Sequence, residues 1–266
     1  MTEQEADKLL EEVNYERLFG DTAKAIAILY QLNSEFPQEK MYLGLLASCY
    51  YSNGELDLAL EYAEKALALD PHYPAIFELK GLIAYAKGDQ EEAEIAYQQA
   101  LKIDPQFALG RVRLMQLYFE KKEYNKVTDE CWFILNKIVP DRLSYDKEKK
   151  RKLNNEYLFI VYINLWKALI AQRKYEEAAN VIIDYKDFAS SFIRDPYFFD
   201  KEDEMLFKLF YLLDDKEKTN YYQNRWLNFY QVVPSRIDGM KKDAKQGYIT
   251  NMNPDNYNID EYGHFY

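Results

Sequence analysis

The chain has 266 residues, of which nine are glycine and eight proline, about 6% together against a usual sum near 12%, which argues against a turn-rich all-β sandwich or barrel. A hydrophobic share of 48% beside 30% charged residues supplies enough apolar mass for an extended core and excludes global disorder. The balance of 34 basic to 45 acidic residues, a net of −11, gives no overall attraction for phosphate backbones or anionic membranes, so no nucleic acid is expected as a partner.

The first expected element is a helix, because Thr2 and Glu5 have capping-box spacing. The same residues lack the basic start and apolar run of an export signal. From Gly20 onward a beat of 34 residues sets in. Gly20, Gly54 and Gly88 are each followed by an acid, and Lys122-Glu123 continues the series without the glycine. Pro37, Pro71 and Pro105 keep the same spacing, and Pro140 falls one residue late. Ala25, Ala59, Ala93 and Val127 form one column of this beat, and Leu32, Ala66, Ala100 and Ile134 another. Each period reads as an amphipathic helix, a turn where glycine tolerates positive φ, a second helix capped by the acid, and a proline that stops it. In the third period Phe77, Gly81 and Ala84 mark the inner face of the first helix, and Ala93, Tyr97 and Ala100 that of the second.

The phrases Asn53-Gly54-Glu55-Leu56-Asp57-Leu58-Ala59 and Lys87-Gly88-Asp89-Gln90-Glu91-Glu92-Ala93, with the endings Asp70-Pro71 and Asp104-Pro105, resemble the tetratricopeptide repeat family. The resemblance covers residues 6–39, 40–73, 74–107 and 108–141. It implies an all-α, right-handed α-solenoid of antiparallel helix pairs, and partner binding on a concave face lined by the first helices. The family's position twelve falls at Arg17, Tyr51, Tyr85 and Phe119, whose three aromatic rings would stack as a ladder. Position nine falls at Asn14, Ser48, Leu82 and Gln116, and position six contributes Arg113. The cationic clamp by which some family members hold the carboxyl terminus of heat-shock chaperones is not matched: Leu10, Leu45, Ala75 and Leu79 stand at its other positions, and only Asn14 is kept.

Residues 141–153 hold six basic and three acidic residues, and the acid-first pairs Asp146 with Lys150 and Glu148 with Lys152 favour a solvated helical extension over an anion patch. A helix from Glu156 to about Arg173 and a second opening at Tyr175 repeat the pattern, with Ala178, Ile182 and Tyr185 in the earlier columns. After Pro196 two more helical segments, 202–213 and 215–231, have no alignable columns and suit a terminal pair. From Pro234 the sequence turns to a short helix or an irregular, aromatic-rich tail. The expected organisation is thus four hairpins over 1–141, divergent hairpins over 142–233, and the segment 234–266.

Catalytic material is scarce. His72 and His264 are the only histidines, which leaves almost nothing for a histidine dyad or a metal site. Cys49 and Cys131, the only cysteines, read as small hydrophobes in a core without a basic neighbour, and no phosphate loop follows a strand. No cofactor or metal is expected. The longest apolar run, Tyr157 to Ile163, is far too short to span a bilayer, and the reading is cytoplasmic. The leading expectation is therefore a non-catalytic interaction module, a scaffold or adaptor that takes a peptide or helix of another protein and is compatible with self-association. A second expectation is a self-occluded regulator whose tail after Pro234 lies in its own groove, and an enzyme is the remotest.

Overall fold

The computed structural model describes residues 1–138, 155–190, 199–228, 230 and 233–249. Eight helices occupy the first stretch: α1 (Glu3–Phe19), α2 (Thr22–Glu35), α3 (Lys40–Ser52), α4 (Leu56–Leu69), α5 (Pro74–Ala86), α6 (Gln90–Ile103), α7 (Ala108–Glu120) and α8 (Tyr124–Phe133), the last continued by a π-helical segment, Ile134–Ile138. Five more follow: α9 (Asn155–Ala171), α10 (Tyr175–Ser190), α11 (Asp200–Leu212), α12 (Lys216–Asn228) and α13 (Pro234–Lys245). No strand occurs among the described residues. The architecture is an all-α series of antiparallel helix pairs.

The chain forms two compact units, Met1–Leu117 and Tyr118–Tyr266, the boundary falling within α7. In the first, α1 pairs with α2, α3 with α4 and α5 with α6, and consecutive pairs meet where α2 lies on α3 and α4 on α5. In the second, α8 packs on α9, α9 on α10, α10 on α11, and α11 on both α12 and α13.

One turn recurs in both. Gly54 and Gly88 adopt φ of 78° and 85°, and Lys122, Arg173 and Asp214 hold the same left-handed conformation at 58°, 61° and 55°. In each case the residue after the turn donates its N–H to a carbonyl five residues back: Glu55 to Tyr50, Asp89 to Ala84, Glu123 to Tyr118, Lys174 to Leu169 and Asp215 to Phe210, at 2.8–3.0 Å. This helix ending satisfies carbonyls that would otherwise lack a donor. Gly20 departs from the expectation, because its φ is −126°; there the missing side chain leaves room for Glu16, whose Oε2 a Cβ would meet at 2.0 Å.

The acids after the turns behave unequally as caps. Asp21 and Asp89 accept from the backbone N–H groups of Ala23 and Glu92, whereas Glu55 and Glu123 make no capping bond. The Thr2–Glu5 capping box forms.

Counting from the shared turn brings α11 and α12 into the register that sequence alone did not give them. Thr219 then falls in the column of Ala25, Ala59, Ala93, Val127 and Ala178, and Trp226 in that of Leu32, Ala66, Ala100, Ile134 and Tyr185. All twelve are buried. Residues 139–154, which include the basic segment, Pro196, and the tail from residue 250 with His264 lie outside the described residues. The described part of the C-terminal region is α13, packed on α11, followed by a buried Ile249.

Candidate functional site

In the first unit the close fit of α5 on α6 opens a polar cluster. A Cβ at Gly81 would lie 2.3 Å from Cε1 of Tyr97, so only glycine lets the Tyr97 ring lie flat against α5. The Tyr97 hydroxyl consequently comes within electrostatic reach of Arg113, Glu78, Tyr51 and Tyr85. Burial pushes it well above the ordinary phenol range; Arg113 opposes that shift, and Glu78 and the two tyrosines add to it.

Glu78 is buried, and Arg113 donates its Nε–H to the Glu78 carboxylate at 2.8 Å. Burial raises the Glu78 carboxyl above the ordinary range, with Arg113 pulling it back. A buried carboxylate held this way joins α5 to α7, and removing either partner would leave the other charge desolvated. A second bond between repeats lies two periods earlier, between α1 and α3, where Arg17 donates through Nη2 to the Ser48 hydroxyl at 3.0 Å.

Arg17 also faces Cys49, contrary to the expectation that this thiol has no basic neighbour. Burial outweighs the guanidinium, and the thiol sits above its usual range, which fits a buried small hydrophobe better than a nucleophile. Cys131 is buried as well, with its thiol pushed far up by desolvation.

The expected site residues therefore divide. Arg17 meets Ser48, and Tyr51 and Tyr85 gather with Arg113 around Tyr97, Tyr51 half-buried and Tyr85 exposed. Leu82 is half-buried at the edge of the core, Gln116 is half-buried and Asn14 is exposed. Phe119 belongs to the second unit, where its ring meets Tyr124 edge-on at 5.7 Å.

Sequence reasoning missed Glu78 altogether and placed Tyr97 in the core alone. Opposite charges at Glu78 and Arg113, thirty-five residues apart and so one residue past the repeat length, were the available signal. Among the described residues no group of three or more histidine, cysteine, aspartate or glutamate side chains could hold a metal ion. None of the described helices is long and apolar enough to cross a membrane.

Helical hairpins in tandem, joined by one turn and one set of buried columns, define the class of helical-repeat proteins. The sequence profile of the tetratricopeptide repeat matches residues 10–74 and 45–106, so this stretch of the chain is built of tetratricopeptide repeats.

Among curated proteins, the chain is 31% identical over 100 residues to the "Heat-shock protein cognate (HSC) co-chaperone sgt12" of Aspergillus fumigatus, covering 38% of this chain and 29% of that protein. It is 30% identical over 100 residues to the "Small glutamine-rich tetratricopeptide repeat-containing protein 2" of Saccharomyces cerevisiae, covering 38% and 27%. The matched stretch is thus less than a third of either relative's length. Among solved structures, Pseudomonas aeruginosa pilF superposes with a TM-score of 0.58 at 17% identity over 91% of this chain and 97% of that one. The type IV pilus biogenesis factor PilW superposes with a TM-score of 0.55 at 11% identity over 92% and 100%. At these identities both speak for the fold alone.

Proposed function

We propose that this chain is a non-catalytic protein–protein interaction module, a scaffold or adaptor that takes a peptide or helix of another protein along the first-helix face of the first unit. One observation carries the reading. Tyr51, Tyr85 and Arg113, from three successive first helices, lie within electrostatic reach of the Tyr97 hydroxyl, whose ring Gly81 admits, which suits a strip of aromatic and polar groups able to meet a ligand. Amphipathic rings with polar tips grip a peptide at small entropic cost, because they have few torsions to lose. Arg17, Ser48, Asn14, Leu82 and Gln116 extend the strip, with Arg17 and Ser48 holding each other in place.

A cytoplasmic setting suits the two buried free thiols and the acidic surface. The name of the Aspergillus relative suggests chaperone partners. The residues at the clamp positions, Leu10, Leu45, Ala75 and Leu79, supply no cations for a terminal carboxylate, so an internal segment of the partner suits this face better.

A photo-crosslinking residue placed at Ser48 or Leu82, with Lys65 on α4 as the reference position, tests the reading in cells. Adducts with one partner from Ser48 and Leu82, lost in the Tyr51→Ala/Tyr85→Ala protein, are the expected result. Adducts from Lys65 alone would overturn it.

A further inference from the structure

The side of α1 away from α2 and α3 departs from the polar surface that an uncovered repeat face requires. A repeat face on which no described helix packs is expected to be polar where it meets water. Lys8 and Glu12 satisfy this, standing one period before the buried Tyr42 and Leu46. One turn further along, Tyr15, Leu18 and Phe19 are 61%, 64% and 78% exposed. Their i, i+3, i+4 spacing makes one strip, and the rings of Tyr15 and Phe19 lie 5.9 Å apart.

Tyr15 occupies the position of Cys49 and Ile83, which are 1% and 2% exposed. In those hairpins the preceding pair supplies the cover: α2 lies on α3, α4 lies on α5, and Arg17 reaches Cys49. Among the described residues no helix lies on the same position of α1 as α2 does on α3. Leu18 and Phe19 are not products of the repeat, since the same positions hold Ser52 and Asn53 in the second hairpin and Ala86 and Lys87 in the third.

The strip exposes roughly 400 Å², the scale of apolar patches that mark interaction sites. Its surroundings are acidic. α1 carries six carboxylates against Lys8 and Arg17, and Lys24 of α2 bridges Glu12 and Glu16 at 2.8 and 2.6 Å.

We infer that this strip docks an amphipathic helix of another protein, one with apolar residues at i, i+3 and i+7 flanked by lysine or arginine, lying on α1 as α2 lies on α3. Charge decides against a second copy of this chain, which would bring the same carboxylates face to face. The area decides for a single, reversibly held helix, being about half of what each partner buries in a standard stable interface. This site is separate from the first-helix face proposed above.

Two synthetic helical peptides about five turns long, with identical leucine and phenylalanine faces and either lysine or glutamate flanks, test the inference by fluorescence anisotropy on the full chain. The lysine-flanked peptide should bind about tenfold or more tighter than its twin, with the difference shrinking as salt is added. Tyr15→Ser/Leu18→Ser/Phe19→Ser should weaken binding about tenfold or more with the melting temperature unchanged. Glu11→Lys should weaken it less, and Tyr51→Ala/Tyr85→Ala not at all. Failure of both peptides to bind, equal binding of the two, or binding indifferent to the triple change would each overturn the inference. So would self-association of the chain that the triple change abolishes, because the occupant would then be a second copy.

Discussion

Where α3 and α5 carry Ala47 and Gly81, the same position holds Trp166 in α9 and Phe207 in α11, all of them buried. The facing helices change in step: Ala66 and Ala100 in the first unit, Tyr185 and Trp226 in the second. In the first unit the small residue at Gly81 admits the Tyr97 ring of the facing helix, whereas in the second the ring of Trp166 meets that of Tyr185, with centroids 5.0 Å apart. The turn is shared, including its left-handed residue and its hydrogen bond. What the difference teaches is that the turn sets the pairing of the helices, and side-chain volume at the contact is free to vary provided the facing helix accommodates it.

Four changes probe that contrast. Trp166→Ala should cost the second unit about 3–5 kcal/mol, because the ring's neighbours cannot collapse into the space. Hydrogen exchange should show the loss confined to residues after Leu117, and a loss spread evenly over both units would break the contrast.

The second effect is a pH dependence of the second unit. Burial holds the Glu202 carboxyl up at about 7, with Asp200 and Asp203 adding to the shift and Lys186 and its own backbone N–H opposing it. Because the folded value lies above the unfolded one, the stability this carboxyl contributes is complete below its ordinary range near 4.5 and is lost as pH rises through 7. Between pH 5 and 8 the second unit should weaken by about 2–3 kcal/mol. Glu202→Gln should flatten the profile in denaturant titrations.

Gly81→Ala should destabilise the first unit by about 1–3 kcal/mol, since Tyr97 must leave its place, and adding Tyr97→Leu should restore part of the loss. The smallest effect runs the other way. Lys122→Gly should raise the melting temperature slightly, by up to about 1 kcal/mol of stability, because Lys122 pays the cost of a left-handed backbone that Gly54 and Gly88 avoid.

The first three hairpins were legible because glycine, alanine and proline mark them by type. The fourth and fifth still showed the columns through Val127 and Ala178, and only the last pair, α11 and α12, hides the same positions behind other residues. Asp214 stands in for the turn glycine, and Thr219 and Trp226 for the alanines, so the columns could be aligned only once the backbone conformation was known. Glu78 escaped for a different reason, since a lone acid on a helix reads as solvated until a partner from the next hairpin is seen beside it. Tyr97 escaped because a core position was assigned to the whole residue, while its ring and its hydroxyl have separate environments. The tyrosine excess follows a similar logic: the hydroxyl of Tyr30 lies 2.7 Å from those of both Tyr50 and Tyr62, so one polar contact links three helices.

The π-helical segment after α8 has a bearing on that 34-residue beat. A π turn closes its hydrogen bond over five residues where an α turn uses four, so it holds one residue more than the helix around it. Pro140 stands one residue behind the beat that Pro37, Pro71 and Pro105 keep, and Ile134–Ile138 lies immediately before it. The segment works like a pleat in cloth: the surplus is gathered in one place, and Val127, Cys131 and Ile134 keep their buried columns upstream. A repeat array can thus change length by a single residue without surrendering the fit of the hairpin that carries the change.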